Sequence, residues 1–289
     1  MSYLGRCVVT VVPRLENTIH RGSTQSKAGM KLRTIHSLAA EVDDSKQPIV
    51  QVFLIRHGQT KENAMRIIQG HLDTYLNEEG VSQVELCSKV LKRISFDAVW
   101  SSDLNRCIQT RDIALEPQLE ELPESRIHTT ELLRERSFGD VEGYDYKTVV
   151  RILRQRKLTW DTVGETNEAF QKRLLEAWDQ VISGAIKDDL KRVVIISHGG
   201  AISSLIHCLI RRHGFTLSNQ INTAVITSLL NTSITIVNVT LKSDGSVLGG
   251  EVVEFNNANH LKRPETKDEG SIEEEIAGIL GHKNSHWSW

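Results

Sequence analysis

Two apolar stretches of this sequence end alike. In "IVQVFLIRHGQT", Ile49 to Thr60, the run closes on Arg56, His57 and Gly58, and in "RVVIISHGG", Arg192 to Gly200, it closes on His198 and Gly199. An imidazole at the end of a buried segment can serve as a nucleophile, and the glycine after it allows a tight turn and close backbone approach to a ligand. A third stretch, "WSSDLNRCIQT", carries Arg106, with Asp103 placed to cap the helix that would hold it in its first turn. Arg56 and Arg106 each offer a planar fork of donors, which suits phosphate oxygens better than the point charge of a lysine. Such guanidiniums would neutralise phosphoryl oxygens and keep a neighbouring ring unprotonated, free to attack phosphorus. The leaving alkoxide then needs a proton. "ELLRERSFGDVEG", 131–143, supplies Glu135 and Glu142 for that step, and spacing does not choose between them. Backbone amides beside His198, at the start of the helix expected there, add a place for an anion.

These groups need a rigid mount. Apolar, β-branched runs at 49–55, 97–101 and 193–197 have the character of strands, each followed by a helical segment. They are continuous rather than alternating, so the sheet they form should be covered on both faces. Val84, Cys87, Leu91 and Ile94 recur at helical spacing, as do Phe170, Leu174, Trp178 and Val181. "SITIVNVTL", 233–241, adds a late strand with period-2 alternation, and "GEVVEFNN" beyond it predicts another. The fold class expected is α/β, a three-layer α/β/α sandwich around a mostly parallel sheet. In such a sheet ligands bind at the carboxyl ends of the strands, where His57 and His198 lie.

At 289 residues and 32.5 kDa the chain can bury a large core, and we place one domain at 49–261, between an extension of 1–48 and a tail of 262–289. In the extension Arg6, Arg14, Arg21, Lys27, Lys31 and Arg33 stand among Ser and Thr, and Glu16 is the only acid before Glu41. That composition resembles a mitochondrial presequence; a disordered extension, or a start at Met30, are the alternatives. Lys and Arg total 35 against 37 Asp and Glu, a net charge of -2, which leaves no global basic field for nucleic acid or an anionic membrane. Cys7, Cys87, Cys107 and Cys208 are scattered, without CxxC pairs or zinc-ligand spacing. They are expected to be reduced thiols in an intracellular protein, cytoplasmic unless the extension directs it to mitochondria. No apolar run approaches the roughly 18 residues of a membrane span. The number of chains that assemble is left open by the sequence.

Together, "LIRHGQT" with Asn63, "IIQGHLDTYLNEEG", "SSDLNRCIQT", "LLRERSFGDVEG", "GET", "ISHGGAI" and "NTSIT" resemble the histidine phosphatase superfamily, also called the phosphoglycerate mutase-like family, over about 49–261. The resemblance implies that His57 is the nucleophile and forms a phosphohistidine. It implies that Arg56, Arg106 and His198 hold the phosphoryl group and that Glu135 is the proton donor. Asn63, Gln69, Gly70 and Gly199 would line the same pocket, with Thr232 near it. Neither a metal nor another cofactor is implied, and the partners would be small phosphorylated metabolites.

Family mutases carry a long basic insertion where this chain has only Tyr144 to Val163, and usually an asparagine where Gly200 stands, so a phosphatase is expected. Gln59, Thr166 and Tyr75 depart from the common Glu, Ser and Pro, and none of them removes a reacting group. "RERSFGDVEG", "IIQG" and "NANHL" (257–261) look like the branch that holds fructose-2,6-bisphosphatase-type regulators and fungal broad-specificity phosphomonoesterases. A broad phosphomonoesterase is the expectation. A sugar bisphosphatase is the nearest rival, with Arg151, Arg154, Arg156 and Lys157 of "RILRQRK" either gripping a second phosphate or forming a solvated helix face. A mutase and an inactive binding protein follow.

Overall fold

Every residue from Val50 to Ile55 of the first strand, β1 (Ile49–Arg56), is buried, as only a strand inside a doubly covered sheet can be. The computed structural model describes residues 49–219, 221, 229–242 and 244–262. The extension before residue 49 and the tail after residue 262, with the presequence reading and Cys7, lie outside the described residues. The further strands are β2 (Ala98–Ser102), β3 (Ile127–Thr130), β4 (Arg192–Ser197), β5 (Phe215–Leu217), β6 (Ile234–Leu241) and β7 (Val247–Asn257). They form one sheet in the order β3-β2-β4-β1-β6-β7-β5. All pairings are parallel except the two made by β6.

The helices are α1 (Lys61–Ala64), α2 (Glu78–Leu91), α3 (Asn105–Glu121), α4 (Tyr146–Arg156), α5 (Asn167–Lys187) and α6 (Gly199–Arg212). Alternate residues of each strand feed opposite cores. Val50, Val52 and Leu54 pack with Phe170, Leu174, Trp178 and Val181 of α5 and with Ile202 and Leu205 of α6. Phe53 and Ile55 turn the other way, to Val84, Cys87 and Leu91 of α2 and Ala114 and Leu115 of α3. This is the expected three-layer sandwich, and the helical spacings read from 84–91 and 170–181 mark the buried faces of α2 and α5, with Ile94 buried in the turn beyond α2. Period-2 alternation describes only the second half of β6, Val237 to Leu241, because Ile234 to Val237 are all buried between the two cores. β3 and β5, of four and three residues, are too short to leave a pattern in the sequence.

What this architecture does for the site is set by register. Arg56 of β1 lies opposite Ser197 of its parallel neighbour β4, so the next residues, His57 and His198, leave the sheet side by side. Ser101 of β2 pairs with Ile196 on the other side of β4, which brings the start of α3 to the same edge. The chain after His57 then lies against the first turn of α2. A Cβ at Gly58 would stand 2.8 Å from the Gly80 carbonyl, and one at Gly80 would stand 2.0 Å from the Gln59 carbonyl. These are contacts between backbones, with no flexible side chain to yield. Gly80→Ala is therefore expected to destabilise the protein by roughly 1–3 kcal/mol, the usual range for overpacking. Urea unfolding would read this as a lower midpoint, and an unchanged midpoint would show that the loop can retreat.

Candidate active site

The backbone at the end of β1 is clamped before any side chain is considered. The His57 N–H donates to the Ser197 carbonyl at 2.9 Å, and the Gly58 N–H donates to Thr110 Oγ1 at 3.0 Å. The His57 ring is 3% exposed, and its Nδ1 lies 2.7 Å from the Gly58 carbonyl oxygen. A carbonyl can only accept, so Nδ1 carries the hydrogen and Nε2 of the neutral ring keeps its lone pair. Burial, and then the positive fields of Arg106 and Arg56, push the His57 pKa well below its ordinary value. The result is an uncharged imidazole with one fixed tautomer.

Arg106 is 1% exposed. Its Nη1 donates to the Leu72 carbonyl and its Nη2 to the Gly70 carbonyl, both at 2.8 Å, and its Nε to His198 Nδ1 at 3.2 Å. The expectation that Asp103 caps the helix below it is corrected here. Leu104 occupies the cap position, and the first helical N–H, of Asn105, donates instead to Asp73 Oδ1 at 2.7 Å. Asp103 is taken by the guanidinium of Arg134, which binds both of its carboxylate oxygens. Arg56 donates through Nη1 to the Leu229 carbonyl, while its Nε is buried without a partner. A Cβ on Gly199 would come within 3.2 Å of that Nε, so the glycine is there for close approach. The tight-turn role expected of Gly58 and Gly199 is not needed, since neither has a left-handed φ.

His198 is fully buried, and its pKa too is driven far down, first by burial and then by Arg106. Because Arg106 donates to Nδ1, the neutral ring carries its hydrogen on Nε2, which lies 3.0 Å from Ser102 Oγ. The rings of His57 and His198 meet edge to face with centroids 5.2 Å apart.

The two candidate acids separate clearly. Glu142 Oε1 accepts from the N–H groups of His71 at 3.0 Å and Phe138 at 2.7 Å and from Ser137 Oγ at 3.3 Å. That carboxylate ties two loops together. Glu135 lies at the start of α6, with Oε2 accepting from the Gly200 N–H at 2.8 Å and Oε1 from the Arg136 N–H at 3.0 Å. A Cβ at residue 200 would stand 2.5 Å from Glu135 Oε1, so the carboxylate fills the space that a side chain would take. The helix-terminal amide at Gly200, expected to be open to an incoming anion, is thus already used by the protein's own carboxylate.

Gln69 and Asn63 are anchored by their oxygens. Gln69 Oε1 accepts from Thr60 at 3.1 Å and Thr74 at 2.7 Å, and Asn63 Oδ1 accepts from the Thr60 N–H at 3.2 Å and from Asn231 Nδ2 at 3.3 Å. Gly70, at φ +50, brings its carbonyl to Arg106. Thr232 is fully buried, and its hydroxyl bonds the Asn231 carbonyl at 2.7 Å and His260 Nε2 at 2.9 Å, so it offers a ligand no side-chain group. Its φ of +58 is unusual for a β-branched residue and costs on the order of 1–3 kcal/mol.

Sequence reasoning missed the residues that support the site from behind. Arg173 donates to the carbonyls of Leu132, Arg134 and Glu135 and forms a fork with both oxygens of Glu165, locking the loop that presents Glu135. His71 Nε2 reaches the same Glu135 carbonyl at 2.9 Å. The departures noted earlier face elsewhere: Gln59 bonds Asn77 at the start of α2, Thr166 caps α5, and Tyr75 is exposed. Arg151, Arg154, Arg156 and Lys157 lie on the exposed side of α4 and at its end, while Val149 and Leu153 make its buried side. Among the described residues no group of three or more His, Cys, Asp and Glu side chains is arranged to hold a metal ion.

The model of the histidine phosphatase superfamily (branch 1) matches residues 52–245. A probable phosphatase of Schizosaccharomyces pombe is 35% identical over 218 residues, which span 75% of this chain and 98% of that protein. A broad-specificity phosphatase of Saccharomyces cerevisiae is 34% identical over 171 residues, 58% of this chain and 73% of the relative. Among solved structures, the alpha-ribazole phosphatase of Shigella flexneri superposes with a TM-score of 0.57 at 23% identity, covering 72% of this chain and 97% of that one. A phosphoglycerate mutase of Bacillus anthracis gives 0.59 at 22% identity, over 75% and 97%. At such identities the superpositions speak to the fold alone, and they agree that it is phosphoglycerate mutase-like.

Burial pushes the imidazoles of His57 and His198 well down and that of His260 down to about 4. In the unfolded chain each would protonate near its ordinary value of about 6.5. Their folded values are the lower ones, so the unfolded state binds more protons as pH falls, and stability is lost from about pH 6.5 downwards. Urea midpoints should hold near neutrality and then decline between about pH 6.5 and 4, less steeply in a His260→Gln protein. Identical slopes for the two proteins would mean that His260 is not held neutral.

Proposed function

This chain belongs to the histidine phosphatase superfamily and is a phosphatase enzyme, and we propose that it hydrolyses phosphomonoesters by a metal-independent route through a phosphohistidine on His57. The observation that carries this reading is the fixed tautomer of His57, with Nδ1 bonded to the Gly58 carbonyl and Nε2 unprotonated, beside two guanidiniums. The Nε2 lone pair attacks phosphorus as the ester P–O bond breaks, and the departing oxygen takes a proton from the carboxyl of Glu135. Water then attacks the phosphohistidine, its proton passes to Glu135, and inorganic phosphate leaves with Nε2 restored. Arg56 and Arg106 stabilise the charge on the transferring oxygens throughout. His198 orients Arg106 and lies against the His57 ring, while the amide groups of Asn63 and Gln69, held by their oxygens, turn their donor ends to the phosphoryl group.

Two features support hydrolysis of many esters over mutase chemistry. Residues 144–163 form α4 and a following turn around a small core of Val141, Val149, Leu153 and Val163, with no long insertion to clamp a second anionic group. The loops that bear the site also carry exposed apolar side chains, namely Met65, Leu72, Tyr75, Tyr144 and Leu230. Such side chains tolerate varied leaving groups because they form no directional bonds. Cys87, Cys107 and Cys208 are buried free thiols, which supports a reducing compartment, and we assign the cytoplasm.

Acid-labile, alkali-stable labelling by a phosphorylated substrate should be seen in the wild-type protein and vanish in His57→Ala. Label that persists in the variant would refute the assignment. Glu135→Gln should lower turnover of alkyl phosphates by roughly 10²–10⁴-fold and that of p-nitrophenyl phosphate far less, because nitrophenolate leaves without a proton. Equal losses on both would argue against Glu135 as the acid.

A further inference from the structure

The carbonyl end of the nucleophile's own peptide is held from an unexpected place. β1 ends at Arg56, yet the carbonyls of Arg56 and His57 do not point into solvent. The Thr232 N–H donates to the Arg56 oxygen at 3.0 Å and reaches the His57 oxygen at 3.4 Å. Asn231 Nδ2 donates to the same His57 oxygen at 3.0 Å. The corner at 231–232 therefore fixes one side of the His57 peptide as Ser197 fixes the other. That corner needs a left-handed conformation at Thr232, which a β-branched residue keeps only under restraint from its surroundings.

The restraint comes from His260, in the turn Asn259–Leu261 that follows β7. The single hydrogen of the Thr232 hydroxyl goes to the Asn231 carbonyl at 2.7 Å, so the hydroxyl accepts at its other side, from His260 Nε2 at 2.9 Å. Among the described residues, His260 Nδ1 is buried and has no partner. A polar atom left unbonded in the interior is a cost borne by a side chain that is wanted there for its other nitrogen. We propose that His260 is a positioning residue for the nucleophile, acting through Thr232 to fix the peptide of His57. The inference rests on the reading of His57 as the nucleophile. It gives the "NANHL" stretch a physical task that the chemistry of the site alone does not supply.

The test uses the full chain with p-nitrophenyl phosphate, following kcat, KM and the quench-flow rate of phosphoenzyme formation, with circular dichroism to confirm folding. In His260→Ala, kcat and the labelling rate should fall about 10-fold with KM within about 2-fold, as expected for a misplaced reacting group. His260→Gln keeps an N–H at the reach of Nε2 and should recover most of that loss. In a Thr232→Val background, where the hydroxyl is gone, His260→Ala should have no further effect. Any of three results overturns the proposal: wild-type kcat in His260→Ala, a loss in Gln as large as in Ala, or losses that multiply in the double variant. Should His260→Ala fail to fold, Thr232→Ser and Thr232→Val test the bond from its other end. Serine should keep the labelling rate and valine should lower it, and equal rates would again overturn the idea. A wild-type protein that hydrolyses the ester without ever labelling removes the phosphohistidine reading, and this inference with it.

Discussion

A guanidinium buried as deeply as that of Arg106 must be met by lone pairs, and here it finds them on the carbonyls of Gly70 and Leu72 and on His198 Nδ1. Neutral acceptors satisfy its geometry without cancelling its charge. Among the described residues neither Arg106 nor Arg56 forms an ion pair, and one donor of Arg56 is left buried and unbonded. Two cations held this way favour an anion between them and oppose protonation of the rings beside them. The neutrality of His57 and His198, the left-handed turn that aims the Gly70 carbonyl, and the handing of the α3 cap to Asp73 all answer to that one requirement.

The carboxylates divide their work around it. Glu142 and Glu165 collect backbone and guanidinium donors and so define where the loops run. Arg134 keeps Asp103 engaged at the rim. Among the described residues Glu135 is bound by two backbone amides alone, a lighter hold that suits the proton transfer proposed for it. Its loop is nonetheless held firmly, because Arg173 grips the carbonyls of Leu132, Arg134 and Glu135 behind it.

The strand ends and the groups they carry were legible because both follow local rules. A buried parallel strand must be apolar along its whole length, and a histidine or arginine where it stops stands out against that run. Arg106 could be placed at the sheet edge from its spacing after β2, but its carbonyl partners at Gly70 and Leu72 come from a loop more than thirty residues away, and backbone acceptors leave no trace in residue type. The same blindness hid Arg173 and Asn231, and His260 was hidden because its partner, Thr232, lies 28 residues away. Asp103 misled because a cap preference is local, whereas the competition from Arg134 for its oxygens is tertiary. Thr232, which the resemblance puts near the pocket, serves the site's frame through its backbone N–H, with its hydroxyl turned inward.

The carboxylate of Glu135 occupies the volume that a Cβ on residue 200 would fill. Glycine is the only amino acid without that atom, and every missense change of its codon brings one in. A single base change could thus push the Glu135 carboxylate aside while every histidine, arginine and glutamate of the site is still encoded. A search for reacting residues would score such a chain as intact. The difference would be written in a position that carries no functional group at all.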